Sequence, residues 1–572
     1  MSEMLSSTVA AEEPEVDPAG SAFAGTDLME RCAWSVVWLG ILVAGIDSSN
    51  NWLQSPWEVW IAPLGVLTGI IGGGWLWIDR RPISGTVRAA SLLVALLAAF
   101  VPAAISIHAR RYYTTDSSTF NQLAAEALVK GHNPFNASMA GAAKLLHPVA
   151  QFWTYTATGG HVTQVSYPAG SFLLVAPFVA VGFHHAIADW VNLVAWLVGA
   201  VLVAVLLPRR LRWLAGVLIV FGGFTGAFTA GGTDALFIPF LVVAVWRWDQ
   251  SIRLGSPGWQ RWLSPVALGL ACSIKQSPWF VVPFLLVGVW IEARRGGARP
   301  WASVLRYGLT VLGVFVVVNA PFLAMDPASW ARSVVLPFRM PLIPDGAGIV
   351  GLAIHGLTGG AVLWLLSLAG FLALLGLLAA FVIWYSGMKR AWLFLLPLVL
   401  LIPPRSLESY LVDFIPAAII AAVCVESAAS PWTVPRRWSL VAVGSPVVLG
   451  VVALIIGFSS APLDVAVLGV ATSQHEEVFG YVTLRVYNTT NSAVSPHFMV
   501  DLNGGHPDGY WRARVVTGHL PLAPGAAALV VLTPTSFQWS PSRGSFWIVI
   551  AYTTGPNAVS TSTIQQWHLG KS

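Results

Sequence analysis

Charged residues are scarce in this chain. Asp, Glu, Lys and Arg make up only 10% of the 572 residues, whereas 56% are hydrophobic and the mean hydropathy is +0.70. Soluble domains carry about 25% charged residues, so the composition excludes a soluble globular protein and indicates an integral membrane protein. The net charge of +5 comes from short basic clusters between apolar runs. Such clusters orient membrane chains, so the charge does not indicate a nucleic-acid partner.

Cysteine is also scarce. The three cysteines, Cys32, Cys272 and Cys424, lie in or beside apolar runs and show no metal-ligand spacing. This pattern argues against a disulfide framework and against a zinc site. Residues 1–30 lack the basic region of a signal peptide and are rich in Ala, Glu, Pro and Ser, which predicts a disordered cytoplasmic tail.

Long apolar runs, by contrast, are abundant. Many approach 20 residues, about the length that crosses a bilayer core as a helix. They predict a polytopic α-helical membrane protein with about thirteen transmembrane helices, of which two are accessory helices in residues 31–84 and the rest lie in residues 85–459. The predicted spans are residues 33–47, 59–78, 88–108, 187–207, 213–230, 233–248, 263–274, 276–292, 303–323, 361–385, 391–404, 410–427 and 438–459.

The basic clusters predict the orientation of these spans. With the N-terminus in the cytoplasm, alternate crossings place every basic cluster on the cytoplasmic side, provided that Pro168–Gly182 does not cross. That stretch is short for a span and predicts an interfacial helix with aromatic anchors at Phe172, Phe178 and Phe183. The alternative is that it crosses and that another span is wrongly drawn. In the preferred topology, loop 109–186 and the tail 460–572 are extracytoplasmic.

The tail has a different composition from the rest of the chain. Short runs of alternating apolar and polar residues, such as 480–488, 496–502 and 545–552, are separated by Gly, Pro and Asn turns. This pattern predicts an all-β sandwich. Two roles stay open for it: it binds a glycan acceptor, or it is a lid that stabilises the fold. The aromatic residues that could stack on a glycan are Tyr510, Trp511, Trp539 and Trp547.

Asp116 opens the polar part of loop 109–186, directly after an apolar run. An ionisable group at a membrane exit is costly unless it has a partner or a function, so each such group is a candidate site residue. Asp116 could be a general base, because a buried carboxylate gains basicity. It could also be an N-cap, since residues 120–130 have helical periodicity, and the two roles are compatible. No second acid lies nearby in sequence, so no metal is predicted.

Other polar residues on the predicted outer side are weaker candidates. Lys275 and Arg405 could bind a lipid phosphate, although Lys275 could instead snorkel at a hairpin and Arg405 could pair with Glu408. Arg111 is a further outer cation. His355 could assist proton transfer or hydrogen-bond a sugar, but a structural role is more common. Asp234 suits a helix cap. Loop 109–186 contains five histidines, and they show no ligand pattern.

The order of these motifs resembles the GT-C superfamily of polyprenol-phosphate-sugar-dependent glycosyltransferases. The segment Asp116–Phe135, which contains Gly-His-Asn-Pro-Phe, is similar to the first outer loop of bacterial mannosyltransferases and arabinofuranosyltransferases of this superfamily. Tyr167-Pro168, Gly232-Thr-Asp-Ala-Leu, Lys275 before Pro278, and Asn319-Ala-Pro-Phe resemble later landmarks. The resemblance covers about residues 85–430. The spans before residue 85 and the tail after 460 lie outside the superfamily core.

The resemblance implies a role for each candidate. Asp116 would be the catalytic base, with His355 as a supporting group, and Lys275, Arg405 and Arg111 would bind the donor phosphate. The predicted substrate-binding residues are Asn133, Tyr167, Asp234 and Glu408.

The prediction is therefore an inverting, metal-independent glycosyltransferase without a cofactor, embedded in a bacterial plasma membrane. It would transfer a sugar, mannose first and arabinofuranose second, from a polyprenyl phosphate to a glycolipid or polysaccharide acceptor at the outer face. Two alternatives remain: a transporter or flippase for lipid or sugar, and a ligase that uses a lipid diphosphate glycan. A transporter would more often show internal repeats and ionisable groups near the bilayer midplane, and the sequence shows neither.

Overall fold

A computed structural model describes most of the chain. The described residues are 25–50, 58–79, 81–146, 153–221, 232–252, 258–354, 360–426, 435–458, 461–472, 479–502, 509–535, 546–553, 557–561 and 565–566. The first helix begins at Gly25, so the predicted tail boundary at residue 30 falls inside a helix.

Seven helices in the described residues are long and apolar enough to cross a membrane. Each coincides with one of the predicted spans, so the membrane-embedded helical architecture is confirmed in outline. Their apolar parts are Leu28–Ile46, Gly85–Ala109, Ile187–Leu206, Ser277–Arg295, Pro300–Met325, Leu363–Ile383 and Arg437–Gly457.

The predicted count of thirteen spans is not what the structure shows. Most of the other predicted spans are helices too short for a crossing, because prolines and turns interrupt them. Residues 233–248, for example, form a 3₁₀ turn, Thr233–Phe237, followed by a short helix, Ile238–Val245. Hydropathy averaged over a window does not detect such breaks. The other short helices are Gln260–Cys272, Tyr385–Leu400, Glu408–Val412 and Ile415–Cys424. The helix Glu58–Ile78 has 21 residues, but its apolar part Pro63–Ile78 is shorter than a crossing. The predicted span 213–230 begins with the helix Trp213–Val220, and its residues 222–230 lie outside the described residues.

Loop 109–186 is a folded layer on the ends of the spans. Its longest helix, Asp116–Val129, begins at the N-cap Thr115. The stretch Pro168–Gly182 forms two short helices, Gly170–Leu173 and Ala176–Ala180, and no crossing helix. Phe172 is fully buried, which corrects its prediction as an interfacial anchor, whereas Phe178 and Phe183 are exposed. A later helix, Pro327–Arg339, and the short helix Gly351–Ile354 complete the layer.

The tail is a β domain of two facing sheets, as its alternating pattern predicts. Its strands, numbered along the whole chain, are β4 Leu463–Thr472, β5 Phe479–Asn488, β6 His497–Leu502, β7 Arg512–Thr517, β8 Ala527–Thr533, β9 Phe546–Tyr552, β10 Asn557–Thr561 and β11 Gln565–Gln566. One sheet has the strand order β4-β5-β8-β7, and the other contains β6 and β9–β11. Residues from both sheets share one apolar core, which includes Trp511 and Trp547. These two tryptophans are therefore unavailable as stacking platforms, and Trp539 lies outside the described residues.

The β domain is joined to the membrane part by a strand that the sequence did not reveal. Strand β2, Gly360–Val362, lies just before the span Leu363–Ile383 and pairs antiparallel with β10. The tail therefore packs on the same end of the molecule as loop 109–186. Two further short strands, β1 Asp345–Gly346 and β3 Arg405–Ser406, pair in parallel at this end.

The opposite end of the helices carries basic clusters such as Arg294-Arg295 and Arg436-Arg437. Lys389 is fully buried there, and its ammonium contacts Asp249 at 2.9 Å and Glu292 at 2.8 Å. Glu292 lies near the C-terminal end of the helix Val282–Arg295, whereas Lys275 lies before the N-terminal end of that helix. The residues predicted to lie on the outer side and those predicted to lie on the cytoplasmic side are thus grouped at opposite ends of the fold.

The orientation of these ends is a prediction that labelling can check. In spheroplasts of a variant without native cysteines, Asp464→Cys in the exposed β domain should react with a membrane-impermeant maleimide. Arg299→Cys, in an exposed turn at the basic end, should react only after permeabilisation. Labelling of Arg299→Cys in intact spheroplasts would contradict the predicted orientation.

Candidate active site

Asp116 lies in the first turn of the helix Asp116–Val129. The N-cap is its neighbour Thr115, whose hydroxyl accepts the N–H of Ser118, so the capping role predicted for Asp116 is wrong. A carboxylate in a first turn is stabilised by the helix dipole. Asp116 is only 9% exposed, and its Oδ2 accepts the backbone N–H of Thr154 at 2.8 Å. No local pattern in the sequence indicated this long-range contact.

The surroundings of Asp116 make it a stronger base than a free carboxylate. Burial raises the pKa of the Asp116 carboxyl above its ordinary value, because the charged form loses hydration. The Thr154 N–H and the charge of Arg405 act in the opposite direction and keep the ionised form accessible. Asp116 therefore has the property required of a general base.

Close backbone packing brings Tyr167 to Lys275. The N–H of Gly170 donates to the carbonyl of Ser273 at 2.8 Å, and a Cβ at residue 170 would lie 2.6 Å from that oxygen. The side chain of Gln276 donates to the carbonyl of Ser166 at 2.7 Å. Only glycine permits this approach, which joins the two motifs in space.

Lys275 is the centre of a buried polar cluster. It is 4% exposed, forms an ion pair with Asp234, and lies near the charge of Asp413. Its ammonium also lies 4.6 Å from the ring centroid of Tyr410 and 5.9 Å from that of Tyr167. Burial lowers the pKa of Lys275 to about 8, so its ammonium is mostly charged at pH 7.

Arg405 connects Asp116 to this cluster. It lies in strand β3, and its guanidinium is 3.9 Å from a carboxylate oxygen of Asp345 in strand β1. Its charge acts on Asp116, Tyr167 and Tyr410. Arg405 is only partly buried and its ion pair is long, so it is more available to an added anion than Lys275.

Two residues of the sequence motifs have structural contacts. The side-chain oxygen of Asn133 accepts the N–H of Phe135 at 3.0 Å, a local turn that directs Phe135 into the core. The side-chain oxygen of Asn319 accepts the N–H of Ala169 at 3.0 Å and the indole N–H of Trp330 at 2.9 Å. Asn319 thereby fixes the backbone beside Tyr167.

Two of the predicted site residues, Arg111 and Glu408, are not brought into the cluster by the described contacts. Arg111 is exposed, and the described contacts do not place it near Asp116. Glu408 is exposed in the first turn of a short helix, and the ion pair of Arg405 is with Asp345 instead. His355 lies outside the described residues.

The site also contains residues that sequence reasoning missed. Asp413 and Tyr410 lie inside a stretch predicted as a span, where any ionisable group is a functional candidate, so the signal was present. Asp345 and Thr154 gave no signal, because only the pairing of β1 with β3 and the fold of loop 109–186 bring them in.

No family model, curated protein or solved structure matches the chain. The functional proposal therefore depends on the site itself and on the motif resemblance. Within the described ranges, His, Cys, Asp and Glu form no group of three that could hold a metal ion. The absence of a metal or cofactor from the reaction remains a prediction.

Proposed function

We propose that the chain is a GT-C-like glycosyltransferase that takes its sugar from a polyprenyl phosphate at the outer face of a bacterial plasma membrane. Mannose is the first candidate sugar and arabinofuranose the second. The acceptor is a glycolipid or polysaccharide hydroxyl. The proposal is supported chiefly by one observation. Four buried residues chosen from the sequence meet at the ends of the spans, and the partly buried Arg405 lies beside them; the four are Asp116, Tyr167, Asp234 and Lys275.

The chemistry assigns one task to the carboxylate. Asp116 removes the proton of the acceptor hydroxyl as its oxygen attacks the anomeric carbon. A new carbon–oxygen bond forms there while the bond to the phosphate oxygen breaks. The polyprenyl phosphate leaves with the bonding electrons, and the anomeric configuration inverts.

The two cations divide the remaining work. Arg405 binds the phosphate of the donor, since a guanidinium can grip phosphate with two hydrogen bonds. Lys275 balances Asp234 and Asp413, and its charge supports Tyr410 and Tyr167 at the wall of the site. Because a carboxylate already pairs with Lys275, Arg405 is the better phosphate ligand of the two.

A direct assay tests the proposal. Membranes that contain the chain are given labelled polyprenyl-phosphate mannose or polyprenyl-phosphate arabinofuranose, and glycolipid product is measured against membranes without it. Product from either monophosphate donor is expected. Product only from a lipid diphosphate glycan would favour the ligase alternative. Movement of label across proteoliposomes without a new glycosidic bond would favour a transporter or flippase.

Replacing Arg405 should weaken donor binding more than the chemical step. Loss of a charge-assisted contact to phosphate costs about 1.5–3 kcal/mol, so Arg405→Ala should raise the KM for the donor about 10- to 100-fold. Arg405→Lys keeps the charge but not the paired hydrogen bonds, so its donor KM should lie between those of the unmodified chain and of Arg405→Ala. The matched control is Arg332→Ala, which removes an exposed arginine from the same end of the molecule. An unchanged donor KM in Arg405→Ala would remove Arg405 as the phosphate ligand.

A further inference from the structure

We infer that the β domain positions the Asp116 carboxylate through Tyr510, so that the tail is a working part of the active site. The inference rests on the proposed function and concerns a positioning residue, not a group that touches the substrate. The connecting element is residues 153–162, here called the bridging hairpin. It lies between Asp116 and the β domain.

One edge of the bridging hairpin holds Asp116. The hydrogen bond from the Thr154 N–H to the carboxylate fixes its orientation. Thr154 is itself fixed, because its carbonyl accepts the N–H of Val162 at 2.8 Å. The N–H of Thr156 donates to the carbonyl of Gly160 at 2.9 Å and closes the turn. A displacement of the hairpin would therefore move the donor that stabilises ionised Asp116.

The other edge of the hairpin is held by the β domain. The hydroxyl of Tyr510 donates to the carbonyl of Thr156 at 2.6 Å, across 354 residues of sequence. The Tyr510 ring lies edge-on to those of Tyr155 and His497, with centroids 5.4 Å and 5.6 Å apart. Gly159 has a positive φ of 88°, and a Cβ there would lie 2.5 Å from the His497 ring. Glycine is required for this close approach.

The same hairpin leads to the phosphate side of the site. The carbonyl of Tyr155 accepts the N–H of Ile343 at 3.1 Å, just before strand β1. Strand β1 carries Asp345, the partner of Arg405. The buried Tyr552 of strand β9 also lies within electrostatic range of Asp345 and Arg405. The β domain thus contacts the supports of both the base and the phosphate ligand, and fixes their separation.

The test uses Tyr510→Phe in the full chain, which keeps the ring and removes only the hydroxyl. The ionised Asp116 should lose part of its stabilisation as Thr154 loosens, so kcat/KM measured at a pH below the Asp116 pKa should fall by up to about threefold, the effect of a half-unit shift. The acidic limb of the pH profile should move to higher pH by roughly half a unit, because a weaker hydrogen bond to the carboxylate raises its pKa. If the substitution only reduced the amount of folded protein, activity would fall at every pH and the acidic limb would not move. The control is Tyr481→Phe, an exposed tyrosine of strand β5 in the same domain.

A second measurement does not depend on activity. Amide hydrogen exchange in residues 153–162 should quicken in Tyr510→Phe and not in Tyr481→Phe. Unchanged exchange there would overturn the inference whether or not the chain transfers sugar. An unmoved acidic limb, in an enzyme that transfers sugar and loses activity in Asp116→Asn, would overturn the inference alone. Absence of transfer by the unmodified chain would overturn the proposed function instead.

Discussion

Asp116→Asn should lower the turnover of sugar transfer by about 100- to 10,000-fold, the usual contribution of a general base. The amide keeps an oxygen that can accept the Thr154 N–H, so the variant retains the local hydrogen bond and loses only basicity. The measurement is initial rate with labelled polyprenyl-phosphate sugar at saturating donor. The control is Asp464→Asn, which changes an exposed acid in the β domain. Activity within about twofold of the unmodified chain would remove Asp116 as the base.

The pH dependence of the same variant gives an internal check. The base acts only when ionised, so activity should rise with pH through the pKa of Asp116. Burial raises that pKa, which places the limb above the ordinary range of an aspartate. The amide side chain of the Asp116→Asn variant does not titrate, so the limb should vanish from any residual activity.

Stability should change in the opposite direction from activity. Because the folded-state pKa of Asp116 is raised, its contribution to folding is most favourable at low pH and is lost as pH rises through that pKa. An asparagine avoids the cost of ionising a buried carboxyl. At pH 8, Asp116→Asn should therefore unfold at the same temperature as the unmodified chain or higher. A lower unfolding temperature would contradict the described environment of Asp116.

Lys275→Met should cause the largest loss of stability. The substitution leaves Asp234 and Asp413 buried without the cation that both of them face. Removing one partner of a buried ion pair costs about 3–5 kcal/mol, since the remaining charge is neither hydrated nor compensated. The measurement is thermal unfolding in detergent, in which the fraction of the chain that stays monodisperse is recorded at each temperature. A much lower midpoint is expected.

Two variants make this result specific. Lys144→Met removes an exposed lysine from loop 109–186 and should leave the midpoint unchanged. The double variant Lys275→Met with Asp234→Asn removes both charges of the pair, and should regain part of the lost stability. Equal stability of Lys275→Met and the unmodified chain would show that the buried cluster does not depend on this cation.

The seven long spans illustrate what local sequence could predict. A run of about 20 apolar residues has only one low-energy state in a bilayer, a helix that satisfies its own backbone, so composition alone identifies it. The shorter segments could not be resolved in this way. Thr233–Val245, for example, has the composition of a span, but its 3₁₀ turn is stabilised by packing against neighbouring helices. Window hydropathy is insensitive to that packing.

The candidate site shows the same division between what local sequence indicates and what folding decides. Asp116 and Lys275 attract notice because a charged group is costly at a membrane edge, and that cost is a property of the residue and its flanks. The partner of Asp116, Thr154, is an ordinary polar residue in an ordinary stretch. Nothing local marks it, because its role depends on a backbone N–H that folding brings from a distant part of the chain.

Local sequence was sufficient to show a membrane protein with a β tail, and to indicate which acid and cations to examine. Hydropathy and alternation carry that information, since the bilayer requires apolar runs of about 20 residues and a half-buried strand alternates with a period of two. The pairing of Arg405 with Asp345 and of Lys275 with Asp234 became visible in the folded chain alone. The same is true of the contact between the β domain and the support of Asp116. These contacts join segments far apart in the chain, and three-dimensional packing sets them.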